Sequence, residues 1–279
     1  MEERIIDSTR ISDYAAFLLR EEKSEATYGK YLRDIRKFAS FLAGCPVTKE
    51  IVVAWKKSLT EQGYAVRSIN SMLAAVNSLL DFMGWGDCKV KNIRLQRQIY
   101  CTEEKELTKA EYMRLLEVSR KNEQLNLILQ TICGTGIRVS ELRYFTLEAV
   151  QRGEITVSCK NKTRTILVPG RLRKLLLHYA KRKHITFGII FVGRGGKPLD
   201  RSCIWRKMKQ LCREAGVKAS KVFPHNLRKL FARTFYQVQK DIAKLADLLG
   251  HSSINTTRIY IMSTTKEHRR QIEGLGLVL

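Results

Sequence analysis

Apolar residues recur every three or four positions through residues 11–82, and the residues between cut that pattern into four segments. Ile11, Tyr14, Ala15, Phe17, Leu18 and Leu19 form the first. Ser24 offers an N-cap to the second, where Tyr28, Tyr31, Leu32, Ile35, Phe38, Ala39 and Leu42 repeat before Gly44 and Pro46 stop it. Thr48 opens a third with Ile51, Val52, Trp55 and Leu59, ended by Gly63. The fourth spans 66–82, with Ile69, Met72, Leu73, Val76, Leu79 and Leu80, and closes at Gly84-Trp85-Gly86. A 3.6-residue period gives each helix one apolar face, and four such faces satisfy one another as a small bundle. On the polar side of the second segment stand Lys30, Arg33, Arg36 and Lys37, either a grip for phosphates or a solvated face.

The pattern changes after residue 106. A helix capped by Thr108 runs to about Ser119, and a very apolar one covers 125–133. Gly134-Thr135-Gly136 makes a tight turn, and Arg138 is expected to begin the next helix. Two β-branched runs, 154–158 and 165–168, flank Lys160-Asn161-Lys162-Thr163-Arg164, which reads as a β-hairpin with a basic tip. A helix near 171–182, an apolar run over 189–192 and a Gly-rich turn over 193–196 follow, and the remainder is helical, broken at Gly216, Pro224 and Gly250. The expected organisation is a helical domain over 1–92, a linker over 93–106 and a mixed domain over 107–279; 279 residues suffice for two domains. The fold class is mainly α with a small β-sheet.

Charge narrows the partner. The net charge is +24, and it is lopsided: residues 1–106 hold 17 Lys and Arg against 15 Asp and Glu, residues 107–279 hold 34 against 12. Such a surplus self-repels without a polyanion, and nucleic acid is the expected one. Seven cysteines, an odd number with no Cys-x-x-Cys, suggest neither a disulfide framework nor a zinc site; buried free thiols in a reducing cytoplasm are expected. No signal-like or membrane-length apolar run occurs, so no membrane role is expected. Gly193-Arg194-Gly195-Gly196 lacks the spacing of a phosphate-binding loop. No cofactor and no metal is expected.

Metal-free cleavage of a phosphodiester needs a nucleophile, fixed positive charge on the equatorial oxygens and an acid for the departing oxygen. Arginine suits the second task, because its planar fork donates paired bonds and stays charged. Arg138 follows the Gly turn. His225 lies three residues before Arg228, so a helix starting at Pro224 carries both on one face. His251 sits in the turn after Gly250, and Tyr260 follows nine residues later. Cations beside a phenol favour its phenolate, and attack by Tyr260 would store the bond energy in a phosphotyrosine.

These motifs resemble those of the tyrosine recombinases, the family of phage integrases, Xer-type resolvases and Cre-like enzymes. Gly136-x-Arg138-Val139-Ser140-Glu141-Leu142 is similar to the first arginine box, Pro224-His225-x-Leu227-Arg228 to the H-x-x-R box, and Leu248-Leu249-Gly250-His251-Ser252 with Tyr260 to the last. The helical region resembles the family's SAM-like core-DNA-binding domain, and residues 107–260 its α+β catalytic domain. The resemblance implies that Arg138 and Arg228 clamp the scissile phosphate and that His225 assists proton transfer. It implies that His251 bonds a non-bridging oxygen and that Tyr260 forms the 3′-phosphotyrosyl link. Glu141 would support Arg138, and a hairpin lysine, Lys160 with Lys162 in reserve, would protonate the leaving 5′ oxygen. Lys162 and Arg164 would also contact DNA.

The chain departs from the family at three places. The tip reads Cys159-Lys160-Asn161-Lys162, one residue shorter than the common G-K-G-N-K. Lys229 stands where a histidine is frequent, and Ile261-Met262 replaces a His-containing sequence after the nucleophile. Four protomers would synapse two sites, with the apolar tail Leu275-Gly276-Leu277-Val278-Leu279 docking on a neighbour or folding back. The expected activity is site-specific recombination in the cytoplasm, serving a mobile element or Xer-type resolution. A type IB topoisomerase-like enzyme and a non-cleaving DNA-binding regulator are the alternatives.

Overall fold

The computed structural model describes residues 4–95, 103–159, 162–193, 195–262 and 265–277. The chain divides into two compact units, Met1–Arg97 and Gln98–Leu279. Among the described residues no helix is long and apolar enough to cross a membrane.

The first unit packs α1 (Ser8–Arg20), α2 (Glu25–Leu42), α3 (Lys49–Glu61) and α4 (Val66–Phe82). Side chains cap the first three: Asp7 accepts from the Arg10 amide, Ser24 from Thr27 and Thr48 from Ile51. Their apolar stripes meet in one core around Tyr14, Leu18, Phe38, Trp55, Leu73 and Leu79. Phe38 and Trp55 tilt against each other with centroids 4.8 Å apart. Leu19, expected on the buried face of α1, is 61% exposed. Leu18 takes the core position, and the next residue is rotated about 100° away.

The second unit begins with α5 (Lys109–Ser119), held by a reciprocal capping box between Thr108 and Glu111. Then come α6 (Glu123–Thr135), a 3-10 turn (Val139–Tyr144), α7 (Leu147–Arg152), β1 (Glu154–Cys159), β2 (Lys162–Leu167) and α8 (Gly170–Arg182). The last five helices are α9 (Arg201–Glu214), α10 (Pro224–Gln239), α11 (Ile242–Leu249), α12 (Ile254–Tyr260) and α13 (Thr265–Glu273). The strands form an antiparallel hairpin in which Ile155 faces Ile166 and Val157 faces Arg164. Arg138 does not begin a helix as expected. It caps the 3-10 turn, because the Glu141 carboxylate reaches back to the Arg138 amide at 2.7 Å.

Two glycines set the close approaches that the site depends on. Gly136 ends α6 at φ +66°, and a Cβ there would lie 2.4 Å from the Phe231 ring of α10. Gly250 ends α11 at φ +63°, and a Cβ there would lie 2.6 Å from Arg164 Nη1. Only glycine offers both the left-handed backbone and the missing side chain. The thiols meet the expectation of burial only in part: Cys88 and Cys212 are buried, Cys133 and Cys203 are half-buried, and Cys45 is exposed. Cys45 lies past the end of α2, outside the buried stripe.

Candidate active site

Arg228 lies on α10 with 1% exposure. Its guanidinium donates through Nη1 to the Gly136 carbonyl and through Nη2 to the Leu249 carbonyl at 2.7 Å. Those oxygens sit at the ends of α6 and α11, where helices leave carbonyls unpaired and partly negative. One cation therefore joins three helices. Burial, then the charge of Arg138, lowers its pKa to about 10, opposed by Tyr260 and Glu141, so it stays cationic at neutral pH. Its Nε is buried without a partner among the described residues.

Glu141, 3% exposed, binds two further arginines. It accepts from Arg138 Nη1 at 3.0 Å and from both ends of the Arg164 fork at 3.1 and 2.8 Å. Arg138 also reaches the Gly250 carbonyl at 3.4 Å. Arg164, expected at the basic hairpin tip, lies instead within β2, with its side chain only 14% exposed and its fork engaged by Glu141. Strand alternation carried the signal: Arg164, Ile166 and Val168 share one side of β2, and the other two are buried.

His251 completes the set. Its Nε2 lies 3.0 Å from Arg228 Nη2, and its Nδ1 lies 2.9 Å from Thr257 Oγ1. Arginine has only donors, so Nε2 must accept and the neutral ring carries its proton on Nδ1. Burial, followed by the charges of Arg228, Arg138 and Arg164, lowers the His251 pKa to about 4. His225, on the first turn of α10, keeps solvent access on one side. Burial of the rest of the ring, then Lys229 and Arg228, holds its pKa below the usual value, against the pull of Glu106. At neutral pH both histidines are neutral.

Tyr260 ends α12 and is 9% exposed. Its ring packs with Ala232, Leu245 and Leu249 in a small apolar cluster. Its hydroxyl is 3.5 Å from His225 Nδ1, and its ring centroid is 5.9 Å from the Arg228 carbon. The ring lies 5.0 Å from that of His225 and 4.9 Å from that of His251. Arg138, Glu141, His225, Arg228, His251 and Tyr260, scattered over some 120 residues of sequence, are thus brought together (positions 138 to 260).

Other expected residues fall as follows. Lys160 lies outside the described residues, as does the Lys162 side chain; the Lys162 backbone pairs with Cys159 at the start of β2. Of the tail, 278–279 lie outside, and Leu275 and Leu277 are exposed. Lys229 turns to Glu106 at 3.0 Å, and Arg233 lies 3.6 Å from the other oxygen of that carboxylate. In the first unit, Lys30, Arg33 and Lys37 line a groove of about 550 Å³, but Arg36 does not. Lys30 is paired with the buried Asp34, and Lys37 stands 4.1 Å over the Tyr64 ring. Arg67, Ser68 and Ser71 of α4 form the other wall and were missed, because nothing in the sequence says which helices abut. Beside this cluster, Arg201 and Trp205 of α9 line a cleft of about 320 Å³ with Arg138, His225 and Arg228.

Residues 105–267 match the Phage integrase family, and residues 11–85 match the phage integrase N-terminal SAM-like domain. The chain is 31% identical to the tyrosine recombinase XerA of Pyrococcus furiosus, covering 100% of this chain and 98% of the relative. It is 26% identical to the tyrosine recombinase XerD of Staphylococcus aureus, covering 94% and 96%. Among solved structures it resembles a lambda integrase (75–356) dimer bound to a COC′ core site, with TM-score 0.74, 17% identity and 92% and 95% coverage. It also resembles the crystal structure of XerA recombinase, with TM-score 0.55, 23% identity and 97% and 99% coverage.

Proposed function

The chain belongs to the phage integrase family and is a tyrosine recombinase, and from that premise we propose how its residues cut and rejoin DNA at specific sites. The substrate is duplex DNA. Arg138 and Arg228 hold the non-bridging oxygens of the scissile phosphate, and His251 bonds one of them. The Tyr260 hydroxyl gives its proton to neutral His225 and attacks phosphorus in line. The P–O bond to the 5′ oxygen breaks, the DNA 3′ end stays on Tyr260, and the 5′ oxygen takes a proton from a hairpin lysine, Lys160 or else Lys162. A 5′ hydroxyl of the partner strand then gives its proton to that lysine and attacks the phosphotyrosine; the P–O bond to Tyr260 breaks, and the Tyr260 oxygen takes back the proton held by His225. No bond energy is lost, so no high-energy cofactor enters.

The observation that carries this reading is the Tyr260 hydroxyl lying 3.5 Å from His225 Nδ1 with the Arg228 cation beside the same ring. Free enzymes hold such contacts loosely and tighten them on substrate. Each phosphate donor contributes about 10²–10³-fold to rate, so Arg138→Ala should fall by that order.

The domains take matching parts: 1–92 binds core DNA, 93–106 links, and 107–279 does the chemistry. In the first, Lys30, Arg33, Arg36 and Lys37 meet phosphates, now with Arg67. The assembly is a homotetramer on two synapsed sites, each tail docking on a neighbour. The acceptor is a groove of about 350 Å³ lined by Tyr112, Leu230, Phe231, Phe235 and Val238, whose apolar walls suit Leu275 and Leu277. The work is done in the cytoplasm, on a mobile element or a chromosome.

The test is covalent capture. Nicked duplexes with randomised arms, which trap the intermediate by losing the short 5′ fragment, are incubated with the protein and resolved on a denaturing gel. A protein–DNA adduct enriched for one sequence is expected. Failure to recover any adduct would favour a non-cleaving regulator. Strand exchange between two recovered sites separates a recombinase from a relaxing topoisomerase.

A further inference from the structure

Thr257 is a buried polar residue that the chemistry above does not use. It stands on α12 three residues before Tyr260, with 0% exposure, and its hydroxyl is 2.9 Å from His251 Nδ1. The same imidazole spends its other nitrogen on Arg228 Nη2 at 3.0 Å. This arrangement fixes a direction. Arg228 can only donate, so Nε2 accepts, Nδ1 holds the proton, and Thr257 Oγ1 receives it.

That direction is wrong for the role His251 has in cleavage. A phosphate oxygen between Arg228 and His251 is an acceptor, so it needs a proton on Nε2. A phosphate arriving there draws the Arg228 donor away from Nε2. A neutral imidazole can then carry its single proton on Nε2, provided that Nδ1 finds a donor. A hydroxyl can reverse from acceptor to donor by turning about its C–O bond, with no heavy atom displaced. We propose that Thr257 is a positioning residue whose hydroxyl accepts from His251 Nδ1 in the free enzyme. It donates to Nδ1 once phosphate is bound, and so presents Nε2–H to the non-bridging oxygen. The proton count of the pair is unchanged: one proton leaves Nδ1 to solvent, one is taken up at Nε2, and the Thr257 hydroxyl rotates. Because Thr257 and Tyr260 share one short helix, the contact also ties the His251 ring to the nucleophile's own backbone.

This inference rests on the reading of Tyr260 as nucleophile. The test uses the full chain and a nicked duplex recovered by covalent capture, so that absence of any wild-type adduct counts against that reading alone. Thr257→Val keeps the shape and removes the hydroxyl; Thr257→Ser keeps the hydroxyl. The expected result is an adduct-formation rate lowered about tenfold in Thr257→Val, the kinetic equivalent of one hydrogen bond. Thr257→Ser should stay within about threefold of wild type, and DNA affinity should be unchanged in both. On a His251→Ala background Thr257→Val should add nothing, since the two act as a unit. Nitrogen-15 NMR of histidine-labelled wild-type protein, with His251 assigned from the His251→Ala spectrum, should show the Nδ1–H tautomer without DNA. Wild-type cleavage by Thr257→Val, an undiminished loss on the His251→Ala background, or an Nε2–H tautomer in the free protein would each overturn it.

Discussion

The two units of this molecule handle positive charge in opposite ways. In the first, near neutral overall, cations stay at the surface; Arg33 is 74% exposed, and among the described residues of this unit the buried charged side chain is the acidic Asp34. In the second, which carries nearly all the surplus charge, Arg228 and Arg164 turn inward. Arg228 is buried against two helix ends, and Arg164 and Arg138 share one buried carboxylate. Binding and folding are therefore separable in one unit and fused in the other. These guanidiniums are held by the protein itself, and the holding groups are backbone carbonyls and Glu141. Pre-organisation of the charge and stability of the fold become the same set of bonds.

Substitutions can break or sharpen that contrast, judged by their effect on stability. The largest is expected from Arg228→Ala, which strands the Gly136 and Leu249 carbonyls and leaves a cavity. It should cost about 3–5 kcal/mol in denaturant unfolding of the second unit and abolish adduct formation. A stable but inactive Arg228→Ala would separate chemistry from fold and break the comparison. Next is Gly136→Ala, where the backbone sign and the Phe231 ring both object; a loss of about 2–3 kcal/mol is expected.

Much of this frame was legible in the sequence. Ser24, Thr48 and Thr108 announced helix starts, the spacing of 28–42 and 66–82 gave the bundle's inner faces, and Pro224 placed His225 and Arg228 one turn apart. What was not legible were choices made by tertiary packing. Leu19 is as apolar as Leu18, and only the angle of α1 decides between them. Arg164 looks like a basic tip residue until strand alternation places it beside Ile166. Nothing local to Arg228 says that its fork will meet carbonyls from 92 residues before it and 21 after it. Thr257 matters only because a turn at Gly250 folds His251 back onto it.

Acidity probes the same difference more gently. The pKa of His251 is about 4 in the folded protein and near the ordinary 6.5 when unfolded, so the unfolded chain binds the extra proton. The stability that comes from keeping His251 neutral is whole above pH 6.5. It is lost progressively as pH falls from there toward 4. Thermal melts of the second unit should drop over that window, and less so in His251→Asn. Equal pH dependence in both proteins would contradict the assignment. The smallest effect on stability belongs to the first unit. Arg33→Ala and Arg67→Ala together should change unfolding free energy by no more than about 0.5 kcal/mol. DNA affinity should nevertheless fall, and the slope of log affinity against log salt should flatten by about 0.9 for each phosphate that is no longer neutralised.

Cleavage by this chain requires the hydroxyl at position 260 to become bonded to DNA. The most direct measurement digests the captured adduct with nuclease and trypsin and locates the residual nucleotide by fragmentation mass spectrometry. The peptide 259–266 holds Tyr260 beside Ser263, Thr264 and Thr265, so the spectrum must choose among four hydroxyls. A 3′-linked nucleotide on Tyr260, absent in Tyr260→Phe, is the result this account predicts. A nucleotide on any other residue, or an adduct that persists in Tyr260→Phe, would contradict it.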